Sequence, residues 1–310
     1  MGLLADRLWG EPPATVHPVA RFGSTMARLE QRWWRDDRRS GSRFALVGIG
    51  WGTAAGVAVS MALRPAGRPG AAGVSTAVSV ALASAGRALG EAAHDVGRAL
   101  AAGDLPRARS ALPALVGRDP SELDVPGVAR AVVESLAENT VDAVVAPALW
   151  GALAGAPGAL GHRAANTLDA MVGYRNARFG RFGWASARAD DLANWVPARV
   201  TALAVAAVRP AAAARVWRAV RCDAPAHPSP NAGVAEAAFA GALGLRLGGP
   251  SRYGSVEEVR PELGGGRAPE AADIDRAVRL SRHVTVAVGS LLAVPALWST
   301  FRRVSEVGGR

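Results

Sequence analysis

The sequence contains no lysine, one cysteine and few aromatic residues. All 36 basic residues among its 310 are therefore arginine, and the formal net charge is +10. Without lysine, the chain has neither a Walker phosphate loop nor a Schiff-base lysine, which excludes two large enzyme classes. The single cysteine, Cys222, excludes an intramolecular disulfide and a thiolate zinc cluster, and it favours a protein that faces the cytosol.

Charged residues are also scarce, at 20% of the chain against 50% apolar residues, and no window has the composition of a disordered segment. The arginines are scattered among alanines rather than interleaved with aromatic residues, a pattern that does not favour nucleic acid as a partner. A lipid bilayer is the favoured partner of a chain that is both apolar and basic.

Long charge-free runs carry the membrane prediction. Residues 44–63 form a run of twenty, which as a helix is about 30 Å long, the thickness of a bilayer core. Residues 284–301 form a run of eighteen with arginines at both borders. Residues 71–93 are a weaker candidate span, and residues 143–161, interrupted by two prolines, and 195–208 are ambiguous.

These runs predict an all-α, polytopic membrane protein with cytoplasm-facing polar helices and loops, organised as a single membrane-embedded domain over residues 1–310. A soluble, alanine-rich helical scaffold is the alternative. Strand signals are almost absent, and the glycine- and proline-rich residues 247–269 are predicted to form a loop.

Arginine distribution predicts the orientation in the membrane. Six arginines lie between residues 28 and 43, before the first run, whereas only Arg64 and Arg68 follow it closely. The positive-inside rule then places the N-terminus in the cytoplasm. We expect a multi-pass protein of the cell (inner) membrane with its polar motifs on the cytoplasmic side. No secretory signal is expected, because Asp6 and Arg7 interrupt the first ten residues.

The motif ESLAENTVDA places three carboxylates, Glu134, Glu138 and Asp142, at a spacing of four residues, with Asn139 beside them. On a helix this spacing puts all three on one face, where like charges repel. Such repulsion is tolerated on a solvated surface or where a cation binds. Magnesium suits a set of oxygen ligands and usually retains waters and substrate phosphates.

Two further motifs carry clusters of polar residues. In NTLDAMVGYRN, Asn166 and Asp169 can share one helix face, and a helix end is expected near Gly173. Adjacent carboxylates follow in ARADDLAN, for which surface salt bridging is the alternative interpretation. The candidate site residues of the two motifs are Asn166, Asp169, Arg175, Asn176, Arg188, Asp190, Asp191 and Asn194.

The segment HPSPNAGVAE alternates His227, Ser229 and Asn231 with prolines, which give the backbone an extended, rigid path. Asn231 is predicted to cap the helix that follows, with Glu236 in its opening turns. Free amides at this helix start would form an anion site, and a simple capped loop is the alternative. His17 and Pro18 form a similar rigid turn near the N-terminus.

Three long blocks of this sequence, ESLAENTVDAVVAPALWGALAG, NTLDAMVGYRNARFGRFGWASARADDLANWVPAR and HPSPNAGVAEAAFAGALGLRLGGP, resemble the signature motifs of the CobD/CbiB family, the adenosylcobinamide-phosphate (cobinamide) synthases of cobalamin biosynthesis. The resemblance extends over essentially the whole chain, from the GEPP opening to the C-terminal apolar segment. One departure is Glu11, where the family usually has aspartate in a Gly-Asp-Pro opening, which puts a strict role for this carboxylate in doubt.

The resemblance implies a polytopic inner-membrane ligase. Such an enzyme joins aminopropanol, or aminopropanol phosphate, to the f propionate carboxyl of adenosylcobyric acid, using ATP and Mg²⁺. A second copy of the chain, or other membrane enzymes of the corrinoid pathway, are candidate protein partners. Amide formation from a carboxylate is uphill in water, so the carboxyl needs activation, and an acyl phosphate made from ATP is the direct route.

Roles for the candidate residues follow as hypotheses. Arg175, Arg178 and Arg188 would supply the fixed positive charge against phosphates in a chain without lysine. The predicted metal ligands are Glu134, Glu138, Asp142 and Asp190. The predicted catalytic residues are Glu138, Asp142, Asp169, Asp191 and His227. The predicted substrate- or nucleotide-binding residues are Asn139, Asn166, Arg175, Asn176, Arg188, Asn194, Ser229, Asn231, Glu236 and His17.

A transporter or channel is the rival function. In that case the same carboxylates would line an ion path, and the interrupted run at residues 143–161 would be a discontinuous helix.

Overall fold

The computed structural model of the chain describes residues 1–10, 12, 15–63, 71–117, 119–253 and 256–307. Glu11, Arg64 and Arg68 lie outside the described residues. The helices within the described ranges are α1 (Gly2–Trp9), α2 (Pro18–Trp33), α3 (Arg38–Ala62), α4 (Ala71–Ala83), α5 (Gly86–Ala101), α6 (Leu105–Ala111), α7 (Val125–Thr140), α8 (Ala146–Val172), α9 (Trp184–Ala193), α10 (Trp195–Val208), α11 (Ala213–Cys222), α12 (Ala232–Leu243) and α13 (Ala271–Val307). The all-α prediction is confirmed.

Helix starts follow local capping chemistry. The side chain of Asp37 accepts a hydrogen bond from the Ser40 amide at 2.8 Å at the start of α3, and Asp124 does the same for the Gly127 amide at 2.8 Å at the start of α7. A proline at the first or second helical position assists α2, α6 and α7, since proline has no amide hydrogen to leave unpaired there. These boundaries are therefore encoded locally.

Four helices or continuous helical segments of the described residues are long and apolar enough to cross a membrane. They are Arg38–Ala62, Ala72–Ala101, Val125–Val172 and Ala271–Val294. A fifth candidate is the pair Trp195–Val208 and Pro210–Ala226, which is bent by 108°. The predicted spans at 44–63 and 71–93 overlap the first two segments except for one terminal residue each. The third predicted span, residues 284–301, overlaps the segment Ala271–Val294, and its remaining residues lie beyond those whose side chains the structure describes.

The run at residues 143–161 belongs to a longer, irregular helical segment. Residues Val141–Val145 form a π-helical turn between α7 and α8, and α8 is broken at Ala154 and Gly155. Gly155 has a φ of 65°, a conformation that glycine adopts without steric cost, and Pro157 follows two residues later. The predicted interruption of the run at residues 143–161 is therefore present, and the chain is helical on both sides of it.

A two-stranded antiparallel hairpin, β1 (Leu247–Tyr253) and β2 (Val256–Leu263), occupies most of the segment predicted to be a loop. The loop prediction was wrong there. Contacts distant in sequence hold both ends of the hairpin: the Gly248 amide donates to Glu134 at 2.8 Å, and the Gly264 amide donates to Asp223 at 2.9 Å. Local composition does not encode these contacts.

Among the described residues, three apolar cores hold the helices together, the smallest of them between α4 and α8. The largest joins α5, α7, α10, α12 and α13 around fully buried side chains such as Leu136, Phe239 and Leu280. The second joins α2, α3 and α8 around Met26 and Phe44. The polar cavity described next opens where α8, α9 and the start of α12 meet the π-helical turn after α7.

Candidate functional site

A cavity of about 610 Å³ collects side chains from all three polar motifs. Its volume lies within the usual range for small-molecule sites, about 300 to 1,000 Å³. The polar lining residues are Glu138, Asp142, Asp169, Tyr174, Arg175, Asn176, Asp190, Asp191, Asn194, His227, Ser229, Asn231 and Arg260. Motifs that are far apart in the sequence therefore meet in one site.

Carboxylates dominate one wall of the cavity, and two asparagine amides tie them together. The Asn166 side-chain nitrogen donates to Asp142 at 3.1 Å and to Asp190 at 3.3 Å. The Asn194 side-chain nitrogen donates to both carboxylate oxygens of Asp190, each at 3.0 Å. Since one amide reaches both Asp142 and Asp190, these two carboxylates lie close together although they are far apart in sequence.

Burial alters the electrostatics of the α9 carboxylates. Burial is the main reason that the pKa of Asp190 rises to about 6; amide hydrogen bonds from Asn166 and Asn194 oppose the rise, and the charges of Asp191 and Glu138 add to it. The pKa of Asp191 is also raised by burial, and the positive charges of Arg188 and Arg175 counteract this. The site therefore concentrates negative charge that water stabilises poorly.

Two arginines, Arg175 and Arg260, also belong to the lining. Arg175 follows the end of α8, as the sequence predicted, and it lines the cavity. Arg188 pairs with Asp191 at 3.0 Å, so the salt-bridge interpretation of that motif is correct for this pair. Arg260, on β2, also lines the cavity. Sequence reasoning missed Arg260 because its segment was predicted to be a loop outside the site.

The loop before α12 differs in detail from the prediction. Asn231 does not cap α12 with its side chain. Its side-chain nitrogen donates to the Asp191 carbonyl oxygen at 2.7 Å, and its Oδ1 accepts from Arg199 at 2.9 Å. Ser229 Oγ instead accepts from the backbone amides of Ala232 at 3.2 Å and of Asn231 at 3.3 Å. The predicted anion site of free amides is therefore not present at this helix start, because the serine hydroxyl already binds these donors.

His227 supports this loop. Its Nδ1 accepts from the Ser229 amide at 3.1 Å, and its Nε2 lies 3.9 Å from Oε1 of Glu236. Glu236 is only 1% exposed and does not line the cavity. The pair therefore holds the loop against α12, and His227 reaches the cavity from within that loop.

Several predicted site residues lie elsewhere. Glu134 is 2% exposed and binds the hairpin through Gly248, so it does not join Glu138 and Asp142 at the cavity. Asn139 donates to the Ser135 carbonyl oxygen at 3.0 Å, and His17 caps α2 by accepting from the Val19 amide at 3.2 Å. Neither residue is part of the cavity lining.

Arg178 is also absent from the cavity. It pairs with Glu30 at 2.9 Å and lies over the Trp34 ring at 5.3 Å, which ties the loop after α8 to α2. Its expected contact with phosphate is therefore not supported.

The donor chemistry of the cavity fits Mg²⁺, because the carboxylates of Asp142, Asp169 and Asp190 offer only oxygen ligands. Within the described ranges, no three His, Cys, Asp or Glu side chains are close enough together to ligate one ion. An ion here would be held by one or two carboxylates and would keep waters or phosphate oxygens as its remaining ligands.

A second cavity of about 650 Å³ adjoins the first. The two share Arg175, His227 and Pro228 in their linings, and the second adds Arg199 and Trp217. A ligand longer than the first cavity can therefore extend past Arg175 into a basic, partly aromatic space.

Comparison with known proteins places this chain in a family. The family model described as "CobD/Cbib protein" matches residues 1–281. A Cobalamin biosynthesis protein CobD from Mycobacterium tuberculosis (strain CDC 1551 / Oshkosh) is 48% identical over 309 residues, covering 98% of this chain and 95% of the relative.

Two further relatives carry the same name. The protein from Rhodobacter capsulatus (strain ATCC BAA-309) is 46% identical over 91% of this chain and 90% of its own. The protein from Geobacter metallireducens (strain ATCC 53774) is 40% identical over 84% of each. No solved structure gives a significant match. Because the family model matches residues 1–281, which include all three polar motifs, the chain belongs to the CobD/CbiB family.

Proposed function

We propose that this chain is an ATP-dependent amide ligase that joins aminopropanol, or its phosphate, to the f propionate carboxyl of adenosylcobyric acid. Membership in the CobD/CbiB family gives the chain a role in cobalamin biosynthesis, at the formation of cobinamide. The observation that carries the finer proposal is the cavity whose lining combines several carboxylates with Arg175 and Arg260. Phosphates, a carboxylate and a protonated amine are the groups that this mixture of charges would bind.

The acidic wall of the cavity would hold Mg²⁺ and the amine. Asp142 and Asp190, linked through Asn166, are the proposed Mg²⁺ ligands. Bound there, the ion would neutralise phosphate charge on the nucleotide. Glu138 and Asp169 would attract the ammonium group of the amino alcohol, orient it and accept the proton that it loses before attack.

The basic residues would bind the anionic groups. Arg175 can reach ligands in both cavities, and its planar fork suits bidentate binding of a phosphate or carboxylate. Arg260 would bind the propionate carboxylate, and it would stabilise the oxyanion that forms on the acyl oxygen when the amine attacks the acyl phosphate and before inorganic phosphate leaves. The corrin ring is larger than the first cavity, so only the propionate arm would enter while the ring stays outside.

The test is reconstitution of the purified protein in lipid nanodiscs with adenosylcobyric acid, ATP and Mg²⁺, with aminopropanol and aminopropanol phosphate supplied separately. We expect an amide product, detected by mass, that forms with stoichiometric consumption of nucleotide and only when both organic substrates are present. Folded protein that forms no amide with either donor would contradict the proposal.

A transporter is the second candidate, because the break at Ala154 and Gly155 resembles a discontinuous membrane helix. Uptake of a corrinoid or an ion into sealed proteoliposomes, without amide formation, would favour that function. Amide formation in nanodiscs, which enclose no second compartment, would favour the ligase.

A further inference from the structure

His162 is a buried histidine next to the site that the sequence motifs did not single out. It lies on α8, is 4% exposed and is not part of the cavity lining. Its Nε2 lies 2.9 Å from Oδ1 of Asn194, and among the described residues its Nδ1 has no hydrogen-bond partner. The imidazole therefore has one defined polar contact, and that contact leads to Asp190.

The carboxylate of Asp190 sets the direction of the hydrogen bonds that run from His162 through Asn194 to Asp190. Both of its oxygens lie 3.0 Å from the Asn194 side-chain nitrogen, and a carboxylate can only accept. Asn194 must therefore turn its nitrogen to Asp190 and its oxygen to His162. It follows that Nε2 of His162 carries the proton and donates it to Asn194.

Arg163, the next residue on α8, binds the side-chain oxygen of Asn166 as His162 binds that of Asn194. Arg163 donates to Oδ1 of Asn166 at 3.4 Å, and the Asn166 nitrogen donates to Asp142 and Asp190. Two consecutive side chains of α8 thus bind the oxygens of two asparagine amides, whose nitrogens face the cavity carboxylates. Without a donor at its oxygen, such an amide can rotate and turn that oxygen towards a carboxylate, which is repulsive.

We propose that His162 is a positioning residue for Asp190, which it holds in place by fixing the amide of Asn194. This inference rests on the proposed function in one respect, namely that Asp190 helps to bind a divalent cation. Residues that orient a metal ligand typically change metal affinity by about 10- to 100-fold when they are removed. His162 should therefore affect cation affinity although it lies outside the cavity.

The experiment measures Mn²⁺ binding, with Mn²⁺ as a paramagnetic substitute for Mg²⁺, from the free-ion EPR signal of the purified full-length protein without nucleotide. His162→Leu removes the donor, and we expect it to weaken binding about 10-fold or more. His162→Gln keeps an N–H donor on a side chain of similar reach, so its affinity should stay within about threefold of wild type by restoring the same hydrogen bond.

A double-variant comparison tests whether His162 acts through Asn194. If it does, His162→Leu combined with Asn194→Ala should bind Mn²⁺ no more weakly than Asn194→Ala alone. Effects that multiply would mean that the two residues act independently, and would overturn the proposal. Wild-type affinity in His162→Leu, or no Mn²⁺ binding by the wild-type protein, would overturn it as well.

Ser281→Ala is the matched control, since it also removes a buried hydrogen bond, the 2.7 Å contact with Thr140, outside the cavity lining. It should lower thermal stability without changing Mn²⁺ affinity.

If His162→Leu does not fold, His162→Asn replaces it, because the shorter asparagine side chain ends before Asn194. Wild-type affinity in that variant would contradict the proposal.

The nanodisc assay separates this inference from the proposed function. A wild-type protein that binds Mn²⁺ in the His162-dependent manner but forms no amide would refute the ligase and leave the positioning role intact. A wild-type protein that forms the amide while His162→Leu binds Mn²⁺ normally would refute the positioning role alone.

Discussion

At the residue scale, the three carboxylates of ESLAENTVDA have different surroundings despite their regular spacing. Glu138 and Asp142 line the cavity, whereas Glu134 is buried against the backbone of the hairpin at Gly248. The π-helical turn at Val141–Val145 also changes the register between Glu138 and Asp142. Equal spacing on a helix therefore did not mean equal chemistry, and this division makes Glu134 an internal control.

Neutralising the cavity carboxylates should impair the ligase. We expect Asp142→Asn to raise the Mg²⁺ concentration needed for half-maximal rate and Glu138→Gln to raise the KM for the amino alcohol. Each change should lower turnover by about 10²-fold, as for loss of a positioned electrostatic group. Glu134→Gln makes the same chemical change outside the cavity, so its Mg²⁺ requirement should match wild type. Titrations of the three variants with Mg²⁺ and with the amino alcohol check this; equal effects at all three positions would refute the assignment.

Arg175 should be sensitive to a change that preserves its charge. Lysine has no bidentate fork, so Arg175→Lys is expected to lower kcat/KM for nucleotide or amino alcohol phosphate by about 10-fold or more. Arg178→Lys is the comparison, because Arg178 pairs with Glu30 away from the cavity. Steady-state kinetics with each substrate varied in turn would identify the affected ligand, and wild-type values for Arg175→Lys would remove it from the site.

Asp190 should make stability depend on pH in a predictable direction. Its pKa in the folded protein is about 6, above the usual 3.8, so the folded state binds the proton more tightly than the unfolded state. The resulting stability is present below about pH 4 and is lost as pH rises through about 6, a change on the order of 1 to 3 kcal/mol. Asp190→Asn removes this contribution.

Thermal melting in detergent with EDTA measures the contribution of Asp190 to stability. The melts run from about pH 4.5 to about pH 7.5, an interval that brackets the shifted pKa. The melting temperature of the wild-type protein should fall, relative to that of Asp190→Asn, as pH rises through this interval. Parallel curves for the two proteins would show that Asp190 does not titrate differently in the folded state.

At the scale of elements, glycines allow α3 and α8 to approach closely. A Cβ added at Gly52 would lie 2.5 Å from the Ala164 side chain, and one added at Gly56 would lie 2.5 Å from the Ala156 carbonyl oxygen and from Pro157. Small residues at such intervals are typical of helix contacts within membranes, where close backbone approach replaces hydrophobic burial as the main source of stability. Since α8 carries Asn166 and Asp169, this contact also helps to position the site.

Gly56→Ala should therefore destabilise the protein, because the two helices must separate to accommodate the methyl group. We expect a cost of about 1 to 3 kcal/mol, as for overpacking of a close contact. Gly50→Ala is the matched control on the same helix, since a Cβ at Gly50 would meet nothing within 4 Å. Thermal melting of both variants in detergent checks the prediction, which fails if the two melt at the same temperature.

At the scale of the whole molecule, the apolar helices form a membrane-spanning body that supports a polar site. Four segments of the described residues meet the length and hydropathy needed to cross a bilayer, and several α3 side chains, such as Leu46 and Met61, are exposed as expected for lipid-facing residues. Cys222, at the end of α11, is exposed and is the only cysteine of the chain. It therefore provides a single chemical probe of orientation.

We predict that the protein stays in the membrane pellet after an alkaline carbonate wash, and that Cys222 faces the cytoplasm. A membrane-impermeant maleimide should label Cys222 in inside-out vesicles but not in intact spheroplasts, and Cys222→Ser should abolish labelling. Release by carbonate would contradict membrane insertion. Labelling only from outside the cell would reverse the predicted orientation.

Properties that depend on neighbouring residues were predictable from the sequence. The membrane runs, the end of α8 near Gly173 and the interruption near Pro157 are each determined by hydropathy or backbone chemistry within about one segment length. The family resemblance, which was also confirmed, rested on long contiguous motifs, and these are visible in the sequence without the fold. The candidate residues Asp142, Asp169, Asp190 and Arg175 were found in this way, and they do meet in one cavity.

Tertiary structure alone decided which polar groups share a site and which satisfy one another. Glu134 binds the hairpin, Arg260 reaches the cavity from a strand, and Ser229 rather than Asn231 binds the first amides of α12. Each outcome depends on a partner's position in space, because a buried polar group must find a hydrogen bond wherever the packed fold offers one. Spacing along the chain specifies candidates for such contacts, and packing selects among them.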